Sequence, residues 1–237
     1  MTATRLLRAA HRRTIRRLGS DQRGTTLAEL LVAMALTAIV ATLVVSIVAT
    51  ASRTLSSQAL AATNSETAAL AMRELTRVIR SGAPIRLTGS TTPTPIVSAA
   101  GPTSLTVTSY VDSVVDSSVP VRVLFAVTDG TLTEQRFTVT PVGDAFSIAT
   151  TGNATRTLAR GLTTTAAAPL FTFYDAAGAI IPIPTGGTLP ETDLPRIAAV
   201  RITLAVQRDD SLRATSVALD NTVGLPNLGI ARVRAGG

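Results

Sequence analysis

Residues 30–51 read LLVAMALTAIVATLVVSIVATA, 22 positions with no charge, no glycine and no proline. At ~1.5 Å per residue a helix of that length spans roughly 33 Å, about the hydrocarbon thickness of a bilayer. A buried helix in a soluble protein is the alternative, but few such helices are apolar on every face over so many turns. The flanking charges orient the span. Seven arginines precede it (Arg5, Arg8, Arg12, Arg13, Arg16, Arg17 and Arg23), whereas only Arg53 follows it closely. The excess of positive charge places residues 1–24 in the cytoplasm and the C-terminal region outside, in a single pass of the cytoplasmic membrane.

The charge distribution also limits the function classes open to the chain. Its 237 residues carry a formal net charge of +7, which by itself would suggest an acidic partner. Nearly all of that excess lies before residue 25. The remainder, with 15 arginines and 14 acids, is close to neutral, so nucleic acid is not an expected partner. Cysteine and lysine are absent, and the one histidine is His11, in the basic leader. After leader removal no His, Cys or Lys is left for general-base, metal-ligand or Schiff-base roles. No catalytic residue, metal or cofactor is therefore expected, and the chain is not expected to be an enzyme. An anchored enzyme with a Ser or Thr nucleophile would need a conspicuous polar pocket in the β-rich region. Asp175, Glu191 and Asp193 raise the thought of a calcium site, but they lack the regular spacing of oxygen ligands that such loops use.

Two processing schemes compete at the N-terminus. In the first, Ala49-Thr50-Ala51 is a small-residue signal-peptidase site and a surface or secreted binding protein is released from Ser52. The apolar run is longer than the ~7–15 residues of a signal sequence, and Glu29 stands at its head. A twin-arginine export signal is disfavoured because Arg16 and Arg17 fall where it needs apolar residues. The second scheme starts from Arg23-Gly24-Thr25-Thr26-Leu27-Ala28-Glu29-Leu30-Leu31-Val32-Ala33. This segment resembles the cleavage and methylation segment of type IV prepilins and type II secretion pseudopilins. The resemblance implies cleavage after Gly24 by a prepilin peptidase, a methylated new N-terminus at Thr25, and Glu29 as the family's acidic fifth residue. Thr25 stands where the family prefers Phe.

Glu29 supports the second scheme on physical grounds. A lone carboxylate in a membrane helix costs about 2.5–3.5 kcal/mol at mid-bilayer, and less near the interface, unless it finds a partner. Cleavage after Gly24 would create an ammonium on Thr25, four residues before Glu29 and thus its helical neighbour. The resemblance implies that the same ammonium on an adjacent subunit is the partner in assembly. The plainer alternative is that Glu29 complements the positive end of the helix dipole.

Beyond residue 51 the chain stays free of Gly and Pro until Gly82, so the helix is expected to continue over 25–81. Ala68, Met72, Leu75 and Ile79 form one apolar stripe of its upper half, and Ser81-Gly82 with Pro84 ends it. Arg73, Arg77 and Arg80 read first as cations favoured near a helix C-terminus. From about Pro93 the pattern alternates, predicting strands over 104–111, 119–127, 131–139, 170–174, 197–206 and 213–219. Asp129-Gly130 marks a hairpin, and residues 176–194 read as a long surface loop. The seven aromatics, all between Tyr110 and Tyr174, are expected in the core. The fold class expected is α+β: a long N-terminal helix, transmembrane below and amphipathic above, packed on an antiparallel β domain at 82–237.

Several shorter pieces are similar to minor pseudopilins of the type II secretion J class and related minor pilins. They are Leu75-Thr76-Arg77-Val78-Ile79-Arg80, Phe171 to Gly178, the strand around Val200 to Leu204, and Val217-Ala218-Leu219-Asp220-Asn221. Those relatives usually carry an acid at Val78 and Arg at Asp220. The resemblance implies a structural filament subunit whose partners are other pilins or pseudopilins, a prepilin peptidase, a membrane assembly platform and the lipid bilayer.

Overall fold

The computed structural model describes residues 26–111, 119–165, 167–185, 187–207 and 216–228. One helix, α1 (Leu27–Arg80), opens the described chain. It is followed by β1 (Val97–Ala100), β2 (Ser104–Ser109), β3 (Val121–Thr128), β4 (Thr131–Val142), β5 (Ala145–Ile148), β6 (Arg156–Arg160), β7 (Phe171–Tyr174), β8 (Ile180–Ile181), β9 (Ala199–Val206) and β10 (Val217–Gly224). A short 3-10 turn, Leu194–Arg196, precedes β9. The chain divides into two compact units, residues 1–53 and 54–237. An α-helix with antiparallel sheets matches the α+β expectation.

The second unit holds the upper part of α1 and two sheets. The first runs β1-β2-β3-β4. Beyond β4, β6 pairs with its start (Thr131↔Arg160 to Glu134↔Arg156) and β5 with its end (Val139↔Ile148 to Val142↔Ala145). The second sheet runs β10-β9-β7-β8. Leu162, just after β6, bridges to Val206 at the end of β9 and links the two sheets. The β3–β4 hairpin turns at Asp129 (φ 47°) and Gly130 (φ 66°). Two successive left-handed residues form the turn whose twist matches that of the flanking strands, as the Asp-Gly pair predicts.

The predicted strands are present with shifted ends. The last one runs Val217–Gly224 in the described chain; positions 213–215 of the predicted span lie outside the described residues. Four strands were not anticipated. β1, β5 and β8 are only two to four residues long, too short for a period to show. Arginines at both ends of β6 hide its apolar middle. β8 also interrupts the stretch read as one surface loop, and the 3-10 turn begins at its last residue.

Ala68, Leu75 and Ile79 of the predicted stripe are fully buried, together with Ala71 and Val78, and Met72 packs at the margin. They meet Leu105, Val107, Val123, Phe125 and Leu132 of the first sheet and Phe171, Phe173, Val200, Ile202 and Leu204 of the second. A smaller cluster of Ala83, Ile85, Tyr110, Val139 and Phe146 occupies the other face of the first sheet, as the alternation of β4 requires. Of the seven aromatics expected in the core, Tyr110, Phe125, Phe146, Phe171 and Phe173 are buried, whereas Phe137 and Tyr174 are only partly covered.

The helix end is fastened at close range. Ser81 Oγ lies 2.7 Å from Ser109 Oγ, and the Tyr110 N–H donates to the Ser81 carbonyl. Asn227 Nδ2 donates to the Gly82 carbonyl at 2.8 Å. A side chain at Gly82 would put its Cβ 2.5 Å from Ile96 Cγ2 and 3.0 Å from the Ile79 carbonyl, so only glycine fits this crossing from helix to sheet.

A charged cluster ties the same part of α1 to β4 and β6. Glu134 on β4 is buried to 1% exposure and accepts hydrogen bonds from Arg136 Nε at 2.5 Å and from Arg156 Nη2. Glu74 on α1 accepts from Arg77 at 2.7 Å and from Arg136 and Arg156 at 3.1 Å each. Two guanidinium groups thus bridge a helix carboxylate and a sheet carboxylate. That satisfies the buried Glu134, which would be costly alone. The Arg77 hydrogen bonds hold the Glu74 carboxyl below the ordinary glutamate range against the opposing effect of burial, with the charges of Arg77, Arg156 and Arg136 adding.

Two measurements check this packing. Leu75→Ala should lower the stability of the full chain in detergent by about 2–5 kcal/mol, the usual cost of emptying a buried leucine site, read by urea denaturation. Because the folded carboxyl of Glu74 titrates below its unfolded value, its contribution is complete above the unfolded range and is lost as pH falls through the folded value. The difference in Tm between the native chain and Glu74→Gln should therefore hold steady near neutral pH. It should narrow in acid, followed from about pH 7 to about pH 3.

Candidate processing and assembly site

The site begins where the helix begins. Thr26 caps α1: the Glu29 N–H donates to Thr26 Oγ1 at 3.3 Å, and the Leu30 N–H donates to the Thr26 carbonyl at 3.1 Å. Thr26-Leu27-Ala28-Glu29 has the spacing of a capping box, with a hydroxyl at the cap and a carboxylate three residues on. That signal was available in the sequence, and it adds a local duty to the residues read as a processing motif. Glu29 is the acid of the first turn. It is exposed, where the positive end of the helix dipole favours a negative charge. Among the described residues no cation lies within ion-pair distance of it. Gly24 and Thr25, read as the cleavage point and the new N-terminus, lie outside the described residues.

Above Glu29 the helix presents apolar side chains all round. Leu30, Leu31, Val32, Met34, Leu36, Ile39, Val40, Leu43, Val44, Val45, Ile47 and Val48 are all more than half exposed. The helix is long and apolar enough to cross a membrane. Its hydroxyls do not spoil this surface. Thr37 Oγ1 donates to the Ala33 carbonyl, Thr42 to Ala38 and Thr50 to Ser46, all at 2.8–2.9 Å. Each O–H is satisfied one turn back along its own helix, as an apolar solvent demands. The helix passes through Ala49-Thr50-Ala51 without a break, so the rival signal-peptidase site sits inside regular helix.

Residues 19–51 match the family description "Prokaryotic N-terminal methylation motif". The matched segment holds Gly24, Thr25, the Thr26 cap, Glu29 and the apolar run up to Ala51. It supports a general relationship to type IV pilins and pseudopilins, and with the single apolar helix it fits a membrane-anchored pilin-like protein. The match stops at residue 51 and says nothing of the β-rich part. No curated protein gives a significant match to the chain.

The remaining candidate residues do not converge on a chemical site. Asp175 and Asp193 share a cation already present in the chain: Arg196 lies 2.9 Å from Asp193 and 3.8 Å from Asp175. Asp175 Oδ1 also accepts from the N–H groups of Ala177 and Ala179. Among the described residues no group of acids could hold a metal ion. Val78, where the resemblance expects an acid, is fully buried. Asp220, where it expects Arg, is exposed on β10. The charged cluster of Glu74, Glu134, Arg136 and Arg156 had no signal in the sequence, since its members are up to 82 positions apart.

Thr26→Val should remove the cap and cost the first turn about 1 kcal/mol. Hydrogen exchange in detergent micelles should show faster exchange of the Glu29 and Leu30 amides with that of residues above Val40 unchanged.

Proposed function

We propose that this chain is a minor pilin or pseudopilin, a structural subunit without catalytic activity. It waits in the cytoplasmic membrane with its basic leader inside and its β domain outside. Cleavage after Gly24 and N-methylation of Thr25 by a prepilin peptidase release it for assembly into a pilus-like or type II secretion filament. The observation that carries this reading is the methylation motif laid over a capped helix whose first turn holds an exposed acid, without an ion-pair partner among the described residues, below an exposed apolar surface. Such a surface needs lipid before assembly and other helices afterwards. Glu29 is the residue that makes the exchange possible: a new ammonium on a neighbouring subunit offers it the partner that the described chain lacks. Short likenesses at Leu75 to Arg80 and Phe171 to Gly178 favour the minor, J-like kind of subunit. The charge asymmetry about the span supports the orientation.

The test is to co-express the full chain with a prepilin peptidase and determine the N-terminus of the product by mass spectrometry. The mature chain should begin at Thr25 and carry one added methyl group, and Gly24→Val should stop the cut. A product beginning at Ser52 would establish release by signal peptidase instead. Glu29→Gln should leave cleavage intact but strand the subunit in the membrane fraction. Normal recovery of that variant in sheared filaments would refute the assembly role of Glu29.

A further inference from the structure

The edges of the two sheets are not alike. β8 has two residues and runs into Pro182. β1 has four residues and a register shift, and β5 and β6 have four and five. Short length, bulges and proline are the usual means of blunting an edge against unwanted pairing. β10 has none of them. All eight of its residues pair in unbroken register with β9, and Asp220 is its only charge. In an antiparallel strand every second N–H and C=O points away from the neighbour. On β10 those outward groups have no backbone partner among the described residues.

A groove of about 660 Å³ runs between this strand and α1. Its apolar side is formed by Ala69, Met72 and Leu219. Thr76 and Asn221, joined by a 2.9 Å hydrogen bond, cross it. Arg73, Arg77 and Arg80 follow its helix side. Arg77 is engaged with Glu74, whereas Arg73 and Arg80 are exposed and have no acid within ion-pair distance among the described residues. Arg73 lies before the last helical turn, so the dipole accounts for Arg77 and Arg80 better than for Arg73.

We propose that the β10 edge and this arginine-lined groove form a docking site for an extended acidic segment of a partner protein, added as a further strand beside β10. Backbone groups of β10 would supply pairing without sequence preference. Alternate side chains of the guest would reach Met72 and Leu219, and its carboxylates would meet Arg73 and Arg80. The complementarity of charge selects acidic over basic guests. All of these residues belong to the second compact unit, and the proposal holds whether or not the chain enters a filament.

The probe is a short blocked peptide of alternating valine and glutamate, with a valine–lysine peptide as its counterpart, titrated into the full-length chain in neutral detergent micelles. The glutamate peptide should bind and the lysine peptide should not. Hydrogen exchange of residues 217–224 should slow on binding. Arg73→Glu with Arg80→Glu should weaken binding by roughly tenfold or more, because like charges would then face each other. The milder Arg73→Gln with Arg80→Gln should give an intermediate loss, and both variants should keep the native circular dichroism. The proposal is overturned if the glutamate peptide fails to bind at millimolar concentration, if both peptides bind alike, or if charge reversal leaves binding unchanged.

Discussion

A surface of leucine, valine and isoleucine covering a helix on every side cannot be left in water. Each fully buried aliphatic side chain is worth about 1.5–3 kcal/mol relative to exposure, and a dozen such residues between Leu30 and Val48 stand exposed. None of them belongs to the chain's buried core clusters. The β domain already has a continuous core, filled by Ala68, Ala71, Leu75, Val78 and Ile79 of α1 and by both sheets. The cover must come from lipid or from other apolar helices. The hydroxyls of Thr37, Thr42 and Thr50, bonded back to their own helix, suit either surrounding.

Within that constraint Glu29 is the exception. It is a charge at the foot of an uncharged column, placed where the helix dipole and the Thr26 cap tolerate it. The cap engages the Glu29 backbone N–H, which leaves its carboxylate free to favour the positive helix end and to meet a partner between subunits. A carboxylate can favour the positive helix end through its charge and still accept hydrogen bonds from an incoming ammonium. The local and the intermolecular readings of this residue are therefore compatible.

The long helix, its apolar stripe and its stop were legible in the sequence because periodicity and the absence of Gly and Pro over 25–81 are local signals. The β3–β4 hairpin was legible for the same reason: Asp129-Gly130 specifies a turn in two residues. The capping spacing at Thr26 is equally local, but the same residues carry a processing motif, which masks it. The ion-pair cluster could not have been read. Glu134 alternates as a core position in β4, and nothing near it in sequence marks Glu74 or Arg156 as its neighbours. β1, β5 and β8 were hidden by their length, since two to four residues cannot display a period of two.

Gly82 has a consequence for mechanics. Glycines between a helix and a sheet often let two parts swing, but here the missing side chain serves contact rather than freedom. Ile96 fills the space a Cβ would take, and Ser109, Tyr110 and Asn227 grip the backbone on either side. The passage from α1 to the first sheet is a clamp, not a swivel. A pull or a twist arriving along the upper turns of the helix would be delivered into the sheets with little slack.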